Sequence, residues 1–167
     1  PATNPQRVGV IVSSAIGGLT SLHQLIYTVR DEGARKLSPF GISMLMPNGA
    51  AGMISIDYGF QGPSFSVASA CASGSDGIGT AWSLLQAGVI DVAITGGCEA
   101  TITPVGVGTF DRIGAMSRKG STGDPAIYDT PKPFDLERDG LVMGEGAGIL
   151  VLEREEHARE RKVDILA

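Results

Sequence analysis

Apolar and polar positions alternate in two rhythms along this chain, and the changes of rhythm predict its elements. Val8 to Ser13, largely apolar and of strand length, reads as a buried strand. Ala15-Ile16-Gly17-Gly18-Leu19 follows as a tight turn into a helix of about Thr20 to Arg30. Asp31 to Pro47 reads as a loop carrying Arg35 and Lys36, and Asn48 to Ile56 as a helix of small residues. Period-two alternation then predicts a strand over Phe65 to Ala70. Behind it, Ile78, Ala81, Trp82, Leu85 and Val89 recur at helical spacing, and Gly88 supplies a C-terminal glycine. Val89 to Thr95 predicts the next strand, stopped by Gly96-Gly97. Strand, helix, strand at this spacing is a βαβ unit with parallel strands. Gly74, Gly77 and Gly79 disfavour the helix, so another backbone is expected close to its first turn.

The remaining third is more polar. Thr101 to Ser117 is glycine-rich, with a short helix predicted near Val105 to Arg112. Arg118 to Asp139 reads as a long polar loop with Pro125, Pro131 and Pro133. Leu141-Val142-Met143 and a glycine-rich stretch from Gly144 to Gly148 precede a strand over Ile149 to Leu152. Glu153 to Lys162 reads as a charged helix with Glu155 and Arg159 as an i,i+4 pair, and Val163 to Ala167 as the start of another strand. Both termini read as cut, so the sequence is expected to be a fragment.

Composition narrows the function classes. With 167 residues, 43% hydrophobic and 19% charged, the chain can bury a core as one domain. A net charge of -5 argues against nucleic-acid binding. No run is long enough to span a membrane, and two cysteines at unrelated positions suggest a reducing, cytoplasmic setting. Asp124, Asp129, Asp135 and Asp139 lack calcium-loop spacing, so no metal site is expected there. No cofactor is expected either.

Cys71 is the candidate centre of chemistry. It ends the alternating run and is followed by Ala72-Ser73-Gly74-Ser75-Asp76, where Ser73 as N-cap and Asp76 would form a capping box. A thiol at a strand-to-helix turn lies in the positive field of the helix N-terminus, which favours the nucleophilic thiolate. The competing reading is a small buried hydrophobe, the role assigned to Cys98.

Ser69-Ala70-Cys71-Ala72-Ser73-Gly74 resembles the nucleophile motif of the β-ketoacyl-acyl carrier protein synthases. Pro133-Phe134-Asp135 with Arg138 to Gly148 looks like a second block of that family, and Thr103 to Gly108 and Ser13 to Leu19 like two more. The sequence around Cys71 is closest to the synthase II type of dissociated fatty-acid systems. The resemblance implies an α/β, thiolase-like fold, of which the chain would be the first βαβαβ half, with a mixed or parallel sheet and flanking helices. It implies acyl transfer to Cys71, whose backbone N–H would sit in the oxyanion hole, and condensation with malonyl carrier protein. Ile16 and Phe110 match acyl-pocket residues, and Arg35 and Lys36 a basic pair that meets the acyl carrier protein. Asn48 to Met53 and Phe65 to Ala70 match a homodimer interface.

Departures from the family are local. Gly114-Ala115-Met116-Ser117 stands where Arg-Ala-Leu-Ser is usual, with Arg112 two residues before it, and Leu141 replaces a phenylalanine. Neither His23 nor His157 matches the histidines that activate malonyl carrier protein; these, a lysine and the first strand are expected outside the chain. The chain alone is therefore expected to be inactive in condensation, and its uncovered apolar face to drive self-association. The rival readings are a polyketide ketosynthase, a non-catalytic cavity-shaping partner, against which Cys71 speaks, and a nucleotide-binding domain. The last lacks both glycine fingerprints for phosphate.

Overall fold

The computed structural model describes residues 3–119 and 130–167. It comprises two compact bodies, residues 1–99 with 146–167 and residues 100–145. The first body is built on a mixed four-stranded sheet in the order β2-β1-β3-β4. Its strands are β1 (Val8–Ser13), β2 (Ser64–Phe65), β3 (Val92–Glu99) and β4 (Gly146–Glu153). β1 pairs in parallel with β2 and β3, and β4 runs antiparallel to β3.

All six β1 positions are buried because helices cover both faces of the strand. Ile11 points into a cluster with Ala81, Leu85, Ile90 and Ala93 beneath helix α4 (Ser73–Gln86). Val10 and Val12 point the other way, onto Ala51 of helix α3 (Gly49–Tyr58). Burying one such branched side chain contributes about 1.5–3 kcal/mol, which makes this strand the hydrophobic centre of the fold. Helices α1 (Leu19–Glu32) and α2 (Gly41–Leu45) lie between β1 and α3 in sequence. The Asp31 to Pro47 segment is thus not only loop: it contains α2 and a 3-10 turn at Ala34–Lys36.

Other expectations need correction as well. The β2 ladder ends at Phe65 instead of continuing to Ala70. Side-chain hydrogen bonds replace it: Val67 N–H donates to Ser13 Oγ (3.2 Å) and Ser14 N–H to Ser66 Oγ (3.3 Å). Strand β3 starts at Val92, not Val89, and runs through Gly96 and Gly97, because these pair with Ile149 and Gly148 of β4. Strand β4 likewise begins inside the glycine-rich block, at Gly146. The inner stripe of α4 is Ser73, Gly77, Ala81 and Leu85, while Trp82 is 58% exposed. Small residues face inward because the helix lies close to the sheet. A Cβ on Gly77 would lie 2.6 Å from Ser13 Oγ, and one on Gly74 would lie 3.4 Å from the Gly97 Cα. Gly79 has open space around it, so close packing does not account for that glycine.

The charged helix is α6 (Glu155–Arg161), and its Glu155–Arg159 pair forms; Val163 to Ala167 form no strand. Where β3 and β4 meet this helix, Asp91 accepts two hydrogen bonds from Arg7, at 2.6 and 2.8 Å, and Arg154 lies 3.5 Å away. The bonded Arg7 guanidinium holds the Asp91 carboxyl below its usual range. A carboxyl with a lowered folded pKa contributes stability above its unfolded pKa, and that contribution is lost as pH falls through the folded value. Acid unfolding followed by circular dichroism should therefore shift in Asp91→Asn, with the stability deficit present at neutral pH and vanishing in strong acid. A constant deficit across the whole range would show that Asp91 acts through packing alone.

In the second body, helix α5 (Pro104–Arg112) starts at Thr103, whose hydroxyl accepts from Gly106 N–H at 3.0 Å. The Arg138 to Gly148 block turns back on the Gly114 to Ser117 segment: Leu141 N–H donates to Ala115 O and Ser117 N–H to Leu141 O. Asp139 accepts from Ser117 at 2.7 Å and Thr130 at 3.1 Å. Asp124, Asp129 and Pro125 lie outside the described residues, and among those described no cluster of acids, histidines and cysteines is arranged to hold a metal ion.

Candidate active site

The parallel strands β1 and β3 deliver their C-terminal ends to one edge of the sheet, the edge at which open α/β folds place their ligands. Cys71 reaches this edge on a sharp turn. Ala70, immediately before it, has φ +54°, a left-handed conformation that costs a residue with a side chain about 1–3 kcal/mol. Ser73 holds the turn: its hydroxyl donates to Ala70 O at 2.6 Å and accepts from Ser69 N–H at 2.9 Å. Ser73 is therefore not the N-cap. That position belongs to Ala72, no side chain caps the helix, and the expected capping box with Asp76 does not form. The serine binds backward into the turn instead of forward into the helix, and so fixes the thiol-bearing residue.

Cys71 is exposed at the start of α4, and among the described residues its N–H meets no acceptor. An accessible sulfur beside an unengaged backbone donor at a helix N-terminus can attack a carbonyl carbon and hydrogen-bond the oxygen on which charge develops. Cys98 differs. It lies within β3 against the Val10, Val12 and Ala51 cluster, and burial, with a further contribution from the Glu99 carboxylate, pushes its thiol pKa up. Iodoacetamide at neutral pH should therefore label Cys71 at least about tenfold faster than Cys98. Peptide mass spectrometry gives the ratio, and equal rates would contradict the contrast between the two environments.

Ile16 lies at the same edge of the sheet, on the turn after β1, and is 48% exposed. Gly17, with φ +79°, and Gly18 let this turn pass against the end of α2, where a Cβ on Gly18 would lie 2.0 Å from Met44 O. Phe110 lies on α5, in the second body. Arg35 and Lys36 are exposed on the 3-10 turn, and among the described residues neither has an ion-pair partner. The structure thus brings the Cys71 turn and the Ile16 turn to one edge, with the basic pair elsewhere on the first body. His23 lies against Tyr27 in α1 with their rings tilted by 39°, and His157 pairs with Glu153 beside Arg161. Sequence reading passed over Glu99, whose carboxylate binds the Ile16 turn; with the strand expected to stop at Gly96-Gly97, no local signal marked it.

A strained strand-to-helix turn presents a cysteine at the C-terminal edge of a mixed sheet, an arrangement shared with proteins of thiolase-like fold. Residues 1–158 match the family described as β-ketoacyl synthase, N-terminal domain, and the chain belongs to it. It is 44% identical over 161 residues to 3-oxoacyl-[acyl-carrier-protein] synthase 2 of Staphylococcus aureus, covering 96% of this chain and 39% of that protein. It is 38% identical over 162 residues to the mitochondrial 3-oxoacyl-[acyl-carrier-protein] synthase of Arabidopsis thaliana, covering 97% of this chain and 34% of that one. A solved β-ketoacyl synthase from Burkholderia phymatum superposes with TM-score 0.84 at 33% identity, covering 96% of this chain and 38% of its own. A type II polyketide ketosynthase, solved in complex with its acyl-carrier protein, superposes with TM-score 0.88 at 28% identity, covering 96% and 40%. The chain therefore spans about a third to two fifths of the length of these relatives.

Proposed function

We propose that this chain is the nucleophile-bearing part of a 3-oxoacyl-acyl carrier protein synthase of fatty-acid elongation. The observation that carries the reading is Cys71 itself: exposed, on a strained turn held by Ser73, at the start of α4. The Cys71 thiolate attacks the carbonyl carbon of an acyl thioester, and the resulting oxyanion accepts a hydrogen bond from the Cys71 N–H. Collapse of the intermediate expels the carrier thiol and leaves the acyl group on Cys71. Malonyl carrier protein then loses carbon dioxide, and its carbanion attacks the acyl-enzyme carbonyl and releases the Cys71 thiolate. That second step needs groups in the remainder of the relatives' length, so the chain alone carries the acylation half.

The acyl chain would run from Cys71 toward Ile16, which closes the pocket. Arg35 and Lys36, which have no ion-pair partner among the described residues, supply positive charge for an acidic acyl carrier protein. Beside them, α1 and α2 form a groove of about 330 Å³ lined by Leu25, Ile26, Val29, Leu37 and Ile42, which gives the docking site an apolar component. Among the described residues the outer edge of β2 has no partner strand, and Met53 and Ile56 of α3 are exposed, which supports a homodimer formed along this side. A cytoplasmic setting fits these partners. The test is acyl loading: the chain is incubated with acyl-carrier protein thioester, and the mass added to the Cys71 peptide is measured. Acylation confined to other residues would remove the basis for the assignment.

A further inference from the structure

Glu99 is the last residue of β3, and its carboxylate binds no strand. Oε2 accepts from Ala15 N–H at 2.8 Å and Oε1 from the Ser14 hydroxyl at 3.1 Å. The Ser14 oxygen in turn accepts from Gly17 N–H at 2.7 Å, and Gly18 N–H donates to Leu45 O at 3.1 Å. The ladder register explains the arrangement. Ser13 pairs with Gly97, so Glu99 stands two residues further along, level with Ala15, where the backbone ladder has ended. The carboxylate continues the pairing that the turn has left behind. Ser14 is only 5% exposed, so the relay through its hydroxyl is held in the interior. Every backbone N–H from Ala15 to Gly18 except that of Ile16 is tied down by this set of bonds. Ile16 is the one large apolar side chain the turn carries outward. Among the described residues no Lys, Arg or His faces the Glu99 carboxylate; its partners are neutral donors.

We propose that Glu99 is a positioning residue for acyl-chain selection: through Ser14 and the Ala15 N–H it fixes the height of the Ile16 turn, and so the length of acyl group that Cys71 accepts. This rests on the proposed acyl-transfer reading, in which Ile16 closes the pocket. Loss of the carboxylate frees the turn, Ile16 retreats, and longer chains are admitted. Glu99→Gln keeps an oxygen for Ala15 N–H and an amide that can donate to Ser14 Oγ, so it should largely preserve the geometry.

The experiment compares the chain with its Glu99→Ala, Glu99→Gln, Ser14→Ala and Ile16→Ala variants. Two readouts are taken: amide hydrogen exchange over residues 8–19, and the rates of Cys71 acylation by hexanoyl- and dodecanoyl-pantetheine. Glu99→Ala and Ser14→Ala should speed exchange at Ala15 and Gly17 by about tenfold with β1 unchanged. Both should raise the dodecanoyl-to-hexanoyl ratio several-fold, as Ile16→Ala does, and Glu99→Gln should stay near the parent chain. If Ile16→Ala shifts the ratio and Glu99→Ala does not, the positioning role is overturned while the acyl-transfer reading stands. If Ile16→Ala itself leaves the ratio unmoved, Ile16 does not close the pocket and the proposal falls with that assignment. Unchanged exchange in both Glu99→Ala and Ser14→Ala overturns it whatever the acylation rates.

Discussion

Cys71→Ala is expected to abolish acyl loading of this chain, and Cys71→Ser to slow it by roughly a thousandfold or more, because a hydroxyl gives up its proton far less readily than a thiol of pKa about 8.5. The turn should survive both changes. Its geometry is set by the Ser73 hydroxyl, which donates to Ala70 O and accepts from Ser69 N–H, and by Ala70 at φ +54°, and none of these bonds uses the sulfur. Unfolding midpoints should therefore match that of the parent chain, which separates lost chemistry from lost structure. Ser73→Ala makes the complementary test: it keeps the thiol but releases the turn, so loading should fall while the sulfur remains present and alkylatable. Intact-mass analysis of the acylated chain measures each variant. Persistent loading in Cys71→Ala would transfer the acyl group to another residue and end the assignment.

The position of Cys71 was legible because it depends on neighbours in sequence. An alternating run ends, a small-residue stretch follows, and the strand-turn-helix order leaves one residue at the bend. The largely apolar Val8 to Ser13 was legible for a related reason: a strand covered by helices on both faces has few polar positions, here only Ser13 at its end, and β1 is buried at all six. What escaped depended on residues distant in the chain. Gly96-Gly97 reads locally as a stop, yet β4 pairs with both glycines from some fifty residues later, and the strand continues. Ser73 followed by Asp76 reads locally as a capping box, but the hydroxyl had a competing partner in the Ala70 carbonyl. Helical spacing groups Trp82 with Ala81 and Leu85 on one apolar face, whereas the close approach of α4 to the sheet selects Gly77 and Ala81 for the inner stripe and leaves Trp82 exposed. Glu99 and Ser14 are separated by 85 positions, and no local pattern connects them.

The glycines of β3 lead to the largest stability effect expected for a single substitution here. Gly96 has φ +143°, and a Cβ built on it would lie 2.0 Å from Gly148 O and 3.1 Å from the Ile149 Cα. Both obstacles are backbone of the paired strand β4, so no side chain can swing aside. Gly96→Ala should cost about 3–5 kcal/mol, combining a strained backbone conformation with overpacking against a fixed neighbour. That is a large part of a typical domain stability of about 5–15 kcal/mol. The contrasting site is Gly79, inside α4 with nothing near its missing Cβ. There, Gly79→Ala should stabilise by about 0.5–1 kcal/mol, since alanine loses less backbone freedom on entering a helix. Urea unfolding measures both, with opposite shifts in midpoint expected at similar slope. A Gly96→Ala chain that unfolds at the parent midpoint would mean that β3 and β4 do not cross so closely at Gly96. The consequence reaches the site, because β3 ends in Glu99: prising β4 from Gly96 disturbs the strand whose last residue binds the Ile16 turn. A marginally folded Gly96→Ala chain should therefore lose protection at Ala15 and Gly17 before it loses protection in the middle of β1.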